Sequence, residues 1–228
     1  MLNFFKNIGN RKTIDDASSI MANNLACKTS ELVDHEDVIY TQQDAALDMA
    51  LGMGLQNASK GGSYCLTVVE HPDLPQRVYK VCNANPADDP YILYAEWLLE
   101  TRIFEDNPHF PRIHEIVYSS DGMIAVVVSE KLDEVVWSDA HEFIKADWRI
   151  YYNTCFDRDT RNLSATYLDN KAWLLQNDHN NPPLSRASKM VFEKFKEHPD
   201  VFFDSHKGNV MLRGNIVVLI DPLALTIG

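Results

Sequence analysis

Apolar residues recur at two periods along this chain, and the switch from one to the other marks its elements. A two-residue period leads from the Gly61-Gly62 pair to Val69. It resumes across Arg77-Val78-Tyr79-Lys80-Val81, after a turn at His71-Pro72-Asp73-Leu74-Pro75. Two further strands are predicted over Pro111–Tyr118 and Met123–Val128, around the turn Ser119-Ser120-Asp121-Gly122. Near the C-terminus, Val210-Met211-Leu212 and Ile216-Val217-Val218-Leu219-Ile220 flank Arg213-Gly214-Asn215, the pattern of a tight hairpin. Helical spacing covers Glu31–Val38, Gln42–Leu55 and Tyr91–Phe104, the last opened by Asp88-Asp89-Pro90. The stretch from Leu132 to Val201 is helical in pattern. Helices are predicted from Ser138 through Tyr152, over Ala165–Leu175 and over Arg186–Glu197, with a break at Asn180-Asn181-Pro182-Pro183. Trp137, Trp148, Trp173 and Phe192 read as core residues of this region.

Composition narrows the class. The chain has 228 residues, 45% hydrophobic and 24% charged, which suits one soluble domain of two small lobes. No apolar run approaches the ~20 residues that span a bilayer. No secretory leader is read, and Met1–Lys12 reads as a frayed or docking segment. Cys27, Cys65, Cys82 and Cys155 show no C-x-x-C spacing, as expected of buried thiols in a reducing cytosol. The eight histidines form no ligand pattern. A net charge of −12 repels a nucleic acid backbone, so direct DNA or RNA binding is not expected. It is compatible with basic protein partners, and equally with acidity that only keeps the chain soluble.

The candidate chemistry lies at the predicted C-terminal hairpin. Asp204 and Asn209 stand five positions apart, and Asp221 follows twelve after Asn209. Singly these are ordinary turn residues. A tight hairpin brings its ends together, however, and so returns Asp221 to Asn209. A proton-accepting carboxylate, an amide oxygen and a second carboxylate gathered in one place suit phosphoryl transfer with Mg²⁺. Earlier in the chain, Lys80 sits in a strand between apolar neighbours, where an ammonium needs a partner. ATP phosphates are one such partner; the alternative is a lysine snorkelling from an edge strand. Glu96 and Glu100 are expected inside the apolar arc of the 91–104 helix, where a carboxylate needs a cation. The alternative is a glutamate at the edge of the stripe, in solvent, the preferred reading for Glu100. Glycine-turn amides at Gly61-Gly62-Ser63 could approach phosphates closely.

The segment Asp204-Ser205-His206-Lys207-Gly208-Asn209, with its hairpin and Asp221-Pro222, resembles the catalytic loop and metal-binding Asp of the protein-kinase-like superfamily. His206, and Pro222-Leu223 after the metal Asp, resemble the aminoglycoside-phosphotransferase-like branch. The wording Pro72-x-Leu74-Pro75-x-Arg77-Val78-x-Lys80-Val81 resembles the serine/threonine protein kinases of T-seven-like bacteriophages.

The resemblance implies an α+β, two-lobed protein-kinase-like fold. Residues 1–55 would form an N-terminal helical extension and 56–130 a small antiparallel β N-lobe. Residues 131–228 would form a short, mostly helical C-lobe without the segment that usually follows the metal-binding Asp. The implied cofactors are ATP and Mg²⁺. Asp204 would be the catalytic base, and Asn209 and Asp221 the metal ligands. Lys80, paired with and steadied by Glu96, with Glu100 as the alternate, would hold the α- and β-phosphates under Gly61, Gly62 and Ser63. Glu130 and Leu132 would be the hinge against the adenine. His206 would contact the transferred group or, preferably, fix the loop. The implied activity is phosphoryl transfer to Ser/Thr of host proteins, possible targets being transcription or RNA-processing enzymes, in the cytoplasm of an infected bacterium and without a membrane. Two alternatives remain: a kinase-like binding protein that inhibits a host enzyme by docking, and a small-molecule kinase whose cationic acceptor meets Asp133, Glu134 and Asp139.

Overall fold

A computed structural model of the chain describes residues 2–32, 39–59, 65–136, 182–195, 198, 201–204 and 207–225. The fold is α+β, and the chain divides into two compact units. One comprises Met1–Leu99 and Ile113–Lys131, the other Glu100–Arg112 and Leu132–Gly228.

The first unit is built on an antiparallel sheet of five strands: β1 (Gln56–Ser59), β2 (Cys65–Glu70), β3 (Arg77–Asn83), β4 (Ile113–Tyr118) and β5 (Ile124–Glu130). Their order is β1-β2-β3-β5-β4, so β3 lies at the centre. Strand alternation sends Tyr79 and Val81 to one face of β3 and Lys80 and Cys82 to the other. Helices α1 (Leu2–Ser30) and α2 (Ile39–Gly52) cover the Tyr79 face. Ala22, Leu25 and Ala26 of α1 and Ala46 and Ala50 of α2 form one core with Leu66, Val69, Tyr79, Val81, Ile124, Val126 and Val128. Small residues at these positions let the helix backbones approach the sheet closely. Two polar contacts fix α1 on it. Ser18 Oγ and the Tyr79 hydroxyl are 3.2 Å apart, and Ser19 Oγ donates to the Glu115 carboxylate at 2.5 Å.

The N-terminal helices therefore belong to the sheet's own core. Backbone helix begins at Leu2, where a frayed or docking segment was expected. It ends at Ser30, and Glu31-Leu32 is a turn, so the expected helix over Glu31–Val38 does not start at Glu31; residues 33–38 lie outside the described residues. The inward stripe of α1 is alanine, serine and threonine with one leucine, too little polarity contrast for a periodicity argument.

Helix α3 (Tyr91–Thr101) follows β3. Asp89 caps it, accepting from the Tyr91 N–H at 3.0 Å, with Pro90 in the first turn. Arg102 adopts the left-handed region (φ 50) and stops the helix before Phe104; a 3-10 turn, Ile103–Glu105, follows. The buried side is Tyr91, Ile92, Tyr94, Ala95, Trp97 and Leu98, whereas Glu96 and Glu100 are exposed. This corrects the expected inward placement of Glu96, whereas for Glu100 solvent was the preferred reading. Ile92, Leu93, Leu99 and Ile103 taken alone centre the stripe on the wrong side. The buried arc centres on Tyr91, Ala95 and Leu98, and at about 100° per residue Glu96 stands roughly 140° from Tyr91.

In the second unit, α4 (Pro182–Phe195) turns Leu184, Ala187, Val191 and Phe195 inward. Pro182-Pro183, expected as a break, opens this helix, since a missing N–H costs nothing in a first turn. The predicted hairpin is present as β7 (Val210–Arg213) and β8 (Ile216–Leu219). Two unexpected strands, β6 (Val201–Phe203) and β9 (Leu223–Leu225), pair antiparallel. The segment Glu100–Arg112 is fastened onto the hairpin. The Leu219 N–H donates to the His109 carbonyl at 2.9 Å, His109 Nδ1 meets the Val217 carbonyl at 2.6 Å, and the Arg213 guanidinium donates to the carbonyls of Pro108 (2.7 Å) and Phe110 (3.0 Å). The helices expected over Ser138–Tyr152 and Ala165–Leu175, with Trp137, Trp148 and Trp173, lie outside the described residues.

Two predictions follow from the sheet unit. Leu25→Ala should destabilise the protein by about 2–5 kcal/mol, because it empties part of a shared core; a change below ~0.5 kcal/mol in denaturant unfolding would show α1 to be detachable. The second concerns alkali. Burial pushes the Cys82 thiol well above 9.0 and the Tyr79 phenol above 10.0. The unfolded chain thus gives up these protons at lower pH than the native state, and stability is full below about pH 9 and falls as pH rises further, by up to about 1.4 kcal/mol per pH unit for each group. Melting temperatures should hold near neutrality and drop beyond about pH 9, less steeply in Cys82→Ala.

Candidate functional site

Backbone ladders position the C-terminal candidates. In β6–β9, Phe203 is opposite Leu223; in β7–β8, Val210 is opposite Leu219. The residues just beyond these pairs, Asp204 on one side, Asn209 on another and Ile220-Asp221-Pro222 on the return, must therefore meet. The Asp204 N–H donates to the Pro222 carbonyl at 2.7 Å, and the Ile220 N–H to the Asn209 carbonyl at 3.0 Å. Both backbone neighbours of Asp221 are thereby tied, one to each of the other candidates. The hairpin was legible in the sequence. The β6–β9 ladder was not, because Val-Phe-Phe and Leu-Ala-Leu are three-residue runs with no turn between them.

The side chains add a second tie. Asn209 Nδ2 donates to Asp204 Oδ2 at 3.0 Å and to the Asp204 carbonyl at 3.1 Å. Both acceptors are oxygens, so only the amide nitrogen can face them, and Oδ1 is left as the ligand atom of Asn209. Asp204, Asn209 and Asp221 are all half-buried. An amide oxygen and a carboxylate are hard oxygen donors of the kind Mg²⁺ takes, together with phosphate oxygens and water. Among the described residues no three His, Cys, Asp or Glu side chains form a metal cluster. His206 and Ser205 lie outside the described residues.

Lys80 occupies the central strand of its sheet, flanked by Val68 of β2 and Val127 of β5. It is not on an edge strand, the place where a lysine snorkels freely into water. Its ammonium lies 3.4 Å from the centre of the Tyr91 ring. Asp89 and Lys80 both act on the Cys82 thiol by charge, the carboxylate raising its pKa and the ammonium lowering it, behind the larger effects of burial and a hydrogen bond with Cys65. The N-terminal end of α3 thus comes to Lys80. The Glu96 carboxylate instead accepts from the Tyr118 hydroxyl at 2.5 Å. Desolvation, then that carboxylate, hold the Tyr118 proton on through the neutral range. Among the described residues Lys80 and Glu96 form no ion pair, which corrects the expected one. Glu96 lies on the wrong side of α3, as its exposure shows. The residues missed were Asp89 and Tyr91. Their signal was present in Asp88-Asp89-Pro90, which marks a helix start and thus the first aromatic ring above the strand.

At the expected hinge, Glu130 ends β5 opposite Arg77, and the Lys131 N–H donates to the Gln76 carbonyl at 2.8 Å. Lys131 Nζ pairs with Glu70 at 2.6 Å. In the second unit Leu132 is buried, and Asp133 pairs backbone-to-backbone with Leu212 at 2.8 and 2.9 Å. Asp133 and Glu134 are exposed. Gly61, Gly62, Ser63 and Asp139 lie outside the described residues, and among those described no helix is long and apolar enough to cross a membrane. No known family model matches the chain, and no curated protein matches it.

Proposed function

We propose that this chain transfers the terminal phosphoryl group of ATP to Ser/Thr hydroxyls of proteins in a phage-infected bacterial cell, within a two-lobed protein-kinase-like fold. The observation that carries this is the tie of Asp204 to Asn209, with both neighbours of Asp221 bonded to the same two residues. The order of elements supports it as well: a lysine-bearing strand, a helix, two strands and, after α4, the Asp204 loop and its hairpin.

Asp204 orients the acceptor hydroxyl and takes its proton. Asn209 Oδ1 and the Asp221 carboxylate would hold Mg²⁺. Bound there, the ion offsets charge that builds on the transferred group. Asn209 serves in two ways, since the hydrogen bonds that direct its amide oxygen also fix the rotamer of Asp204. Lys80 supplies the cation for the ATP phosphates, and Gly61-Gly62-Ser63 supply backbone donors. Glu130 and Leu132 meet the adenine through their backbone, and His206 steadies the loop. The net charge of −12 fits a basic protein acceptor better than a nucleic acid.

The test is ³²P transfer from ATP to bacterial lysate proteins and to the chain itself. Asp204→Asn should lower transfer by about 10²–10⁴ while leaving the thermal shift with Mg·ATP intact. Asp221→Asn should abolish the magnesium dependence of that shift. Thermal stabilisation by Mg·ATP without any transfer would favour a docking inhibitor, and an Asp204→Asn protein as active as the parent would sink the assignment.

A further inference from the structure

We propose that Asp89, buried at the start of α3, is the carboxylate partner that positions the Lys80 ammonium, the role expected of Glu96. The inference rests on the kinase reading for its functional meaning, though not for the pairing itself.

The connection between β3 and α3 fixes where Asp89 stands. The Ala84 N–H donates to the Met123 carbonyl at 2.9 Å, and the Asp88 and Asp89 N–H groups both donate to the Asn85 carbonyl, at 2.9 and 3.1 Å. The Asn85 side chain closes this turn, accepting from the Ala87 N–H at 3.2 Å and donating to the Asp88 carboxylate at 2.8 Å. Asp89 is thereby held beside the strand that carries Lys80, and it is 2% exposed. A carboxylate buried this far calls for a cation, because desolvation disfavours its charged form. The Tyr91 N–H, donating to Oδ1 at 3.0 Å, and the positive end of α3 answer part of that need. Lys80 meets the same neighbours from the other side. Its ammonium lies 3.4 Å from the centre of the Tyr91 ring, and Cys82, two residues along β3, projects from the same face of the strand. Asp89 and Lys80 act on the Cys82 thiol with opposite charge. Anion and cation thus share one tyrosine and one thiol, in a place screened from water, where they attract strongly. An ammonium has three donors, so a carboxylate partner leaves others for phosphate oxygens. A short side chain on a fixed helix cap also loses less rotamer freedom in holding the lysine than a glutamate would. Glu96, exposed and bonded to Tyr118, is turned elsewhere.

The test variant is Asp89→Asn, which keeps the size and the capping ability of the side chain and removes its charge. A residue that only caps the helix would survive this change, since Asn caps as well as Asp does. The first arm does not depend on catalysis. Lys80 is modified with a small amine-reactive reagent at about pH 8, where only the small neutral fraction of a lysine reacts. Its rate is read by mass spectrometry against exposed Lys194 in the same molecule. Loss of the carboxylate should raise the Lys80 rate about tenfold or more relative to Lys194. The second arm is stability. Asp89→Asn leaves an ammonium without its counter-charge, so adding Lys80→Met should raise the melting temperature above that of Asp89→Asn alone. The third arm is kcat/KM for Mg·ATP, expected to fall about 10–100-fold in Asp89→Asn and to keep the parent value in Glu96→Gln. Equal Lys80 rates in parent and Asp89→Asn overturn the proposal. If Asp89→Asn does not fold, the double variant decides: recovery of the fold supports the pair, and no recovery overturns it. If the parent transfers no phosphate at all, the kinase reading fails, and the labelling and stability arms still decide whether Asp89 pairs with Lys80.

Discussion

Everything proposed for the C-terminal part depends on one closure: the chain leaves β6 at Phe203 and re-enters the same ladder at Leu223. Inside that closure β7 and β8 form a second, independent ladder. Two nested ladders leave little freedom for the short segments between them. A single hairpin would bring Asp221 back to Asn209 but leave Asp204 on a loose arm. With the outer ladder in place, the Asp204 N–H is spent on the Pro222 carbonyl and the Asn209 amide is spent on Asp204. Such a site is preorganised by backbone hydrogen bonds, whose geometry varies little, and not by long side chains whose rotamer entropy would have to be overcome. The ties from Arg213 and His109 to the 107–110 backbone brace the same hairpin from outside.

The sheet unit applies the same principle with different means. β3 is buried on the Tyr79 face by two N-terminal helices and carries its one lysine on the other. Each face restrains the strand, so the Cα of Lys80 is fixed by its neighbours and only the ammonium position remains to be set. The ammonium lies 3.4 Å from the centre of the Tyr91 ring, at the end of α3 that Asp89 caps.

How much of this the sequence disclosed depends on the length scale of the signal. β2, β3, β4, β5 and the β7–β8 hairpin were visible because alternation and turn chemistry are local. Asn209 and Asp221 were visible as a pair because a hairpin of known length maps spacing onto distance, and Asp204 was added by its five-residue spacing from Asn209. The failures were of three kinds. α1 packs through alanine and serine, so its buried stripe differs little from its exposed one. β6 and β9 are three residues each and find each other across nineteen intervening residues, a pairing that no local pattern encodes. In α3, the expected stripe of Ile92, Leu93, Leu99 and Ile103 left out Tyr91, Tyr94, Ala95, Trp97 and Leu98. That omission rotated the inferred face far enough to place Glu96 inward, and a pairing drawn from family resemblance then looked natural. The phenol ring is largely hydrophobic surface with one polar tip, so both tyrosines belong in the stripe.

That last correction bears on electrostatics more widely. With 33 acidic and 21 basic residues, a cation in this chain is seldom far from a carboxylate. Lys131 meets Glu70, and Arg102 meets Glu105. Such pairs on the surface contribute little to stability and reduce the local field that an anionic ligand would feel. A protein of this charge that binds a polyphosphate has to hold positive potential at one spot against a negative background. At about 0.15 M salt, fields from exposed charges fade within ~8 Å, so what counts is the charge in direct reach of the ligand. Glu96 is turned toward the Tyr118 hydroxyl, and the carboxylate that acts alongside Lys80 on the Cys82 thiol is the buried Asp89 at the start of α3.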